Sequence, residues 1–268
     1  MSGMTHITDL PSELLLDIFE RLRSTSSTGT MTAFLLCCRA WHDISASVLY
    51  THVAVDSKLN SNSALSLFIR QRTYLGLVQS LTLRIHQSHL MGFSIKLPKA
   101  YDRSEGLNAI LPSMSNLKTF SLVLEEQVGK DYAIPSDITA KLLKSLPETV
   151  INLELDSYGL DDIGVSGIHL CQEIGALIPR LQFLRLRISR LCPALLAPLR
   201  STTVSTPRNS AQIDFNARTT SPLRIAVIQL DMKPDIRGNP RSCLCGTALQ
   251  MKRDPRLVFP PHFANGVH

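Results

Sequence analysis

The spacing of apolar residues changes character near Tyr50. Before it, Leu14, Leu15, Ile18, Phe19 and Leu22 fall on one broad helical face, with Leu16 outside that face. Pro11 suits a first helical turn, where its missing N–H costs nothing, and Asp9 and Glu13 place negative charge at the positive end of the helix dipole. A Ser/Thr/Gly run, Ser24 to Thr30, predicts a loop, and a second apolar run from Phe34 through Trp41 to about Leu49 predicts further helix. From Tyr50 onward the form apolar-x-x-apolar-x-apolar recurs. It stands at Tyr50/Val53/Val55, Val78/Leu81/Leu83, Leu117/Phe120/Leu122, Val150/Leu153/Leu155, Leu181/Leu184/Leu186 and Ile225/Ile228/Leu230. The closing alternation of each predicts a short strand with one buried face. The steps between the last apolar residues are 28, 39, 33, 31 and 44 residues.

Helical stretches are expected between these strands. Ser63–Tyr74 carries Leu65, Phe68 and Ile69, and a shorter piece spans about Glu105–Leu111. Ser136 is a candidate N-cap for Asp137–Leu146, and Ile168–Leu177 supplies Leu170, Cys171, Ile174 and Leu177. Pro147 and Pro179 act as stops. Strand and helix in alternation at this period predict a solenoid of mixed α/β class with parallel strands; an unrelated α/β topology is the alternative. Ser201–Ser221 is poor in large apolar residues and predicts a disordered insertion. From Lys233 onward Pro234, Gly238, Pro240, Pro255, Pro260 and Pro261 interrupt any regular element, so a disordered tail is expected. The organisation read from the chain is therefore a helical module at 1–56, a repeat region at 57–232 with an insertion at 201–221, and a tail at 233–268.

The helical module is too small for its apolar content. About 45 residues in short helices bury little surface, and a partner that takes the surplus face resolves the mismatch. Leu10-Pro11, Glu13-Leu14-Leu15, Ile18-Phe19, Leu22 and the later Leu36-x-x-Arg39-x-Trp41 resemble the F-box. That resemblance implies docking to a Skp-type adaptor, and through it a cullin, with Leu10, Pro11, Leu14, Leu15, Ile18, Leu22, Leu36 and Trp41 as adaptor contacts. The other reading of the same residues is a helical cap on a larger core. The repeat region resembles an irregular leucine-rich-repeat solenoid of the kind attached to F-boxes in fungal proteins. Together these imply a non-catalytic substrate receptor of an SCF-type ubiquitin ligase, or else an F-box scaffold with no degradation substrate.

Composition narrows the other classes. Of the formal net charge of +6, five charges lie in Ser201–His268, where nine Lys/Arg meet four Asp/Glu. No basic cluster is interleaved with aromatics, so a solvated basic tail is expected and nucleic acid is not. No run approaches the roughly 18 apolar residues of a membrane span, and the N-terminus shows no secretory pattern. Six cysteines, with Cys37, Cys171 and Cys192 in apolar segments, suit a reducing compartment, cytoplasm or nucleus.

Catalytic chemistry finds no convergent residues. Cys243-Leu244-Cys245-Gly246 is the most metal-like spacing, but no second ligand pair follows, and neither metal nor cofactor is expected. The adjacent carboxylates Glu125-Glu126 and Asp161-Asp162 read as turn acids, and no nucleophile elbow or Gly-rich phosphate loop is present. Recognition can instead be placed by the strand period. Residues alternating with the buried ones point outward: Ala54 and Asp56, Thr82 and Arg84, Ser121 and Val123, Glu154 and Asp156, Arg185 and Arg187, Gln229 and Asp231. Arg84, Glu154, Asp156, Arg185 and Arg187 are the candidate substrate-binding residues. They form either a polar platform for a partner protein or a ladder that satisfies itself.

Overall fold

A computed structural model of the protein describes residues 10–25, 28–58, 64–86, 105–125, 136–157, 170–188, 191–196 and 223–230. Within them the two apolar periods resolve into three helices followed by alternating strands and helices. Helix α1 (Ser12–Thr25) starts directly after Pro11, whose carbonyl accepts the N–H groups of Leu14 and Leu15 at 3.1 Å. The proline thus sits where an acceptor is needed and a donor is not. Helices α2 (Thr28–Leu35) and α3 (Arg39–Thr51) complete the module.

The expected loop at Ser24–Thr30 is a correction. Ser24 and Thr25 close α1, their hydroxyls donating to the Arg21 carbonyl at 2.7 and 3.0 Å, and α2 already begins at Thr28. Met31, one of the most deeply buried side chains, draws this Ser/Thr/Gly run into helix; tertiary packing overrides its weak helical propensity.

The chain divides into two compact units, Met1–Tyr132 with Lys141–Glu154, and Ala133–Ala140 with Leu155–His268. In the first, β1 (His52–Lys58), α4 (Ala64–Arg70), β2 (Ser80–His86), α5 (105–110), β3 (Thr119–Glu125) and the start of β4 (Asn152–Asp156) follow the three helices. Strands β1, β2 and β3 pair in parallel and in chain order. Register aligns Val53, Leu81 and Phe120, then Val55, Leu83 and Leu122, as the repeated spacing predicts.

A backbone link sets that register. The Gln79 N–H bonds the Thr51 carbonyl at 2.9 Å, and Lys118 and Thr119 N–H bond the Gln79 carbonyl at 2.8 and 3.0 Å. Ile151 and Asn152 N–H then bond the Lys118 carbonyl, both at 3.0 Å. The residue just before one strand therefore holds the residues just before the next. Val78, Leu117 and Val150, the first residues of each motif, are fully buried beneath these links.

In the second unit, α7 (Leu170–Leu177), β5 (Phe183–Ile188) and β6 (Ile225–Leu230) repeat the plan, with α6 (Ser136–Lys144) divided between the units. Arg224 and Ile225 N–H bond the Gln182 carbonyl at 2.9 and 3.2 Å, and β5 pairs with β6 in parallel. Here the phase of the last motif is corrected by two residues. Leu184 pairs with Ala226 and Leu186 with Ile228, so Leu223, not Ile225, stands in the position of Leu181. Ile225 is 54% exposed as a result. Both phases have the same parity, so alternation alone does not separate them.

The architecture is mixed helix and strand with a parallel sheet. The expected insertion at 201–221, the tail at 233–268, Cys243, Cys245 and Asp231 lie outside the described residues. Among those described, no helix is long and apolar enough to cross a membrane.

Two glycines mark close packing. A Cβ on Gly175 of α7 would lie 2.9 Å from the Ala194 carbonyl oxygen and 3.4 Å from that of Leu195, so a backbone would have to move. On Gly106 of α5 it would meet the Ile69 side chain at 2.9 Å, which can turn aside. We expect Gly175→Ala to destabilise by about 1 kcal/mol net, overpacking outweighing the gain in helix propensity. Gly106→Ala stays within about 0.5 kcal/mol of wild type, and urea denaturation of the two variants separates the outcomes.

Candidate functional site

One ring from each helix holds the N-terminal module together. Phe19 of α1, Phe34 just before the end of α2 and Trp41 of α3 form a triangle. Centroids lie 5.2 Å apart for Phe19–Phe34, 5.5 Å for Phe19–Trp41 and 5.7 Å for Phe34–Trp41, all tilted or edge-to-face. Those separations are favourable for aromatic pairs. Leu15, Met31 and Val48 complete the core, with Leu10, Leu22, Ile44 and Leu49 packed against it. The Trp41 Nε1 is buried with no hydrogen-bond partner among the described residues.

This core divides the eight predicted adaptor contacts. Leu15, 3% exposed, is interior, and Leu10, Leu22 and Trp41 pack on the same core. For Leu15 this corrects the surface role: its side chain is consumed by the bundle. Pro11, Leu14 and Ile18 are exposed, Leu14 at 52% and Ile18 at 38%, and their i, i+3, i+7 spacing puts them in one line along α1. Leu36, in the turn after α2, is 83% exposed. The broad apolar face of α1 is in fact two adjoining stripes, one turned inward and one outward.

The turn after Leu36 carries two thiols. Cys37 and Cys38 are both exposed, although Cys37 follows the apolar run Phe34-Leu35-Leu36; Cys171 and Cys192 are buried. At its other end, α3 connects the module to the strands. Tyr50 stacks on Tyr74 with centroids 4.5 Å apart, and the Tyr74 hydroxyl lies 3.2 Å from His42 Nε2. His42 Nδ1 meets Asp43 Oδ1 at 3.2 Å. Periodicity marks Tyr50 as the start of the first motif but not its contact with Tyr74, nor that of Tyr74 with His42, which joins residues 32 apart in the chain.

The strand surface is more varied than simple alternation implies. In the first unit Arg84 is exposed, and register places it between Asp56 and Val123. Ser121, expected to point into solvent, is buried, and its hydroxyl donates to Glu154 Oε2 at 2.7 Å. The longer glutamate folds over the serine. In the second unit Arg185 is exposed, whereas Arg187 and Asp156 form a pair at 3.7 Å with side chains only 23% and 15% exposed. The five candidate residues are thus unlike one another: two exposed arginines, a half-buried glutamate and a largely buried ion pair. Among the described residues no cluster of His, Cys, Asp or Glu could hold a metal ion.

Residues 7–56 match the F-box-like family. The N-terminal segment is accordingly an F-box-like domain, and such a domain suggests a role as an adaptor or receptor that binds Skp-type proteins. No curated protein matches the chain.

Phe19 carries the triangle, and its replacement tests the module directly. Phe19→Ala should cost about 3–5 kcal/mol, read as loss of the near-ultraviolet aromatic signal together with helical content. Leu16→Ala, on the outer side of the same helix, should stay within about 0.5 kcal/mol. A second test is electrostatic. Burial, and then the charge of Arg23, hold the His52 imidazole below its ordinary value of 6.5. The unfolded chain therefore binds protons more readily than the folded one. This contribution to stability is fully present above pH 6.5 and is lost as pH falls through the lowered folded value. His52→Gln should flatten that part of the stability–pH profile, and urea midpoints measured between neutral and mildly acidic pH check it.

Proposed function

We propose that the chain is a non-catalytic substrate receptor of an SCF-type cullin–RING ubiquitin ligase, working in cytoplasm or nucleus. The outward stripe of its F-box-like domain docks a Skp-type adaptor, and the strand region holds a protein for ubiquitination by other subunits. The observation that carries the reading is the pairing of an F-box-like match at residues 7–56 with exposed apolar residues at Leu14, Ile18 and Leu36. Large apolar side chains left outside a small bundle are the mark of a docking surface. Binding supplies proximity; the transfer chemistry belongs elsewhere in the complex.

We read the strand region as an irregular leucine-rich-repeat solenoid. Parallel strands in chain order, the buried triplets of β2 to β5 and the backbone links before β2, β3, β4 and β6 support that reading. Arg84 and Arg185, both exposed, are the substrate contacts it favours most. Asp156 and Arg187, largely buried against each other, support the surface rather than read a partner.

Binding of purified Skp-type adaptor to the full chain tests the first half. Leu14→Glu with Ile18→Glu should weaken binding by more than about 100-fold, since docking would bury two unpaired carboxylates. The free chain should stay within about 1 kcal/mol of wild-type stability, because both positions are already about half exposed. Wild-type affinity in the double variant would overturn the adaptor reading. For the second half, Arg185→Glu should leave stability unchanged and abolish capture of a substrate protein. Arg187→Glu should cost about 3 kcal/mol or more by setting two carboxylates together in a poorly screened place.

A further inference from the structure

The least explained feature of the F-box-like domain is its pair of thiols. Cysteine is among the most often buried residue types, and an exposed free thiol is a liability on most surfaces. Here two stand side by side, both exposed, beside the most exposed leucine of the domain. Neither sulfur is needed to build the turn. Cys38 is the N-cap of α3, yet its side chain makes no capping bond, where serine, threonine or aspartate would. Cys37 Sγ makes only a weak contact, 3.4 Å, with the Ala33 carbonyl. Arg39 follows at once in the chain and is exposed, adding positive charge next to the pair.

We propose that Cys37 and Cys38 are a thiol-modification site that disables adaptor docking, and that the modifier is an anionic low-molecular-weight disulfide of the glutathione type. This rests on the adaptor reading above for its consequence, though not for the modification itself. In the step, a cysteine thiolate attacks one sulfur of the disulfide. A protein–glutathione S–S bond forms, the original S–S bond breaks, and the second glutathione leaves as a thiolate that takes up a proton. The cysteine sulfur is oxidised and the departing glutathione sulfur is reduced, with no further reagent. A bond between Cys37 and Cys38 themselves is the poorer product. Neighbouring Cα atoms lie about 3.8 Å apart, short of the roughly 4.4–6.8 Å of ordinary disulfides. A partner that covers Leu36 must come against the next two residues, so a charged tripeptide attached there blocks it.

The experiment uses the purified full chain, oxidised glutathione and purified Skp-type adaptor. Intact-mass and peptide analysis should place an adduct on Cys37 or Cys38 and none on the buried Cys171 and Cys192, whose protection shows that the second unit stays folded. Adaptor affinity should fall at least about tenfold and return on reduction. Cys37→Ala with Cys38→Ala should bind adaptor within about twofold of the wild type and ignore oxidised glutathione; the two single variants serve if the double variant is poorly folded. An adduct at these positions with unchanged affinity overturns the switch, and absence of an adduct under conditions that modify the unfolded chain overturns the site. If the untreated chain binds no adaptor, the adaptor reading fails and the switch falls with it, while the mass result still decides the site.

Discussion

The F-box-like domain depends on the contact of three rings, Phe19, Phe34 and Trp41, one from each helix. Three short helices bury too little surface to be stable through aliphatic contacts alone. Aromatic side chains bury the most area per residue, and edge-to-face geometry adds about 0.5–1.5 kcal/mol per pair beyond that area. The triangle also decides what remains outside. By turning Phe19 and Leu15 inward it fixes the rotation of α1, and that rotation leaves Leu14 and Ile18 facing solvent. The interior and the exposed stripe are two consequences of one rotation, so a change that loosens the first also blurs the second.

Helix α3 carries this constraint into the strands. It ends at Thr51, the carbonyl of Thr51 accepts the Gln79 N–H, and Gln79 in turn holds Lys118 and Thr119. The stacked Tyr50 and Tyr74, with His42 on the Tyr74 hydroxyl, brace the same junction through side chains. In the first unit, then, the register of the sheet begins at the last residue of the helical module rather than within the sheet. Parallel pairing is only slightly weaker per residue than antiparallel pairing but depends on distant parts of the chain meeting. A fixed first carbonyl relieves that dependence.

Much of this was legible in advance, for physical reasons. Positions such as Leu81, Phe120, Leu153 and Leu184 repeat because β2 to β5 each bury the same face, and the six strands among the described residues all lie where that period predicts them. The α1 stripe was legible for the same reason, but its division was not: Leu14 and Leu15 are equally apolar, and only the position of α2 and α3 decides which is covered. The Ser24–Thr30 run misled because local propensity is weak against the burial of one methionine, Met31. Ile225 misled because shifting a strand by two residues preserves its faces. The exposure of Cys37 was not legible either, because its neighbours Phe34 to Leu36 are apolar and yet Leu36 is the most exposed of them. The fate of Ser121 required knowing that a glutamate 33 residues away bends over it.

The energetics of the proposed docking face follow from how little of it there is. Burying an apolar side chain fully is worth roughly 1.5–3 kcal/mol, and Leu14 and Ile18 already have about half of their surface covered. Each then contributes about 1 kcal/mol on docking, with Leu36, at 83% exposure, contributing more. Such a sum amounts to a few kcal/mol, below the roughly 8 kcal/mol of a micromolar complex before the cost of association is counted. On the proposed reading the apolar stripe specifies where the adaptor sits, and the remaining affinity has to come from polar and backbone groups around it. The backbone groups of the turn after Leu36 and the exposed side chain of Arg39 are the nearest such groups in the chain, so a bulky charged adduct beside them has leverage out of proportion to its size.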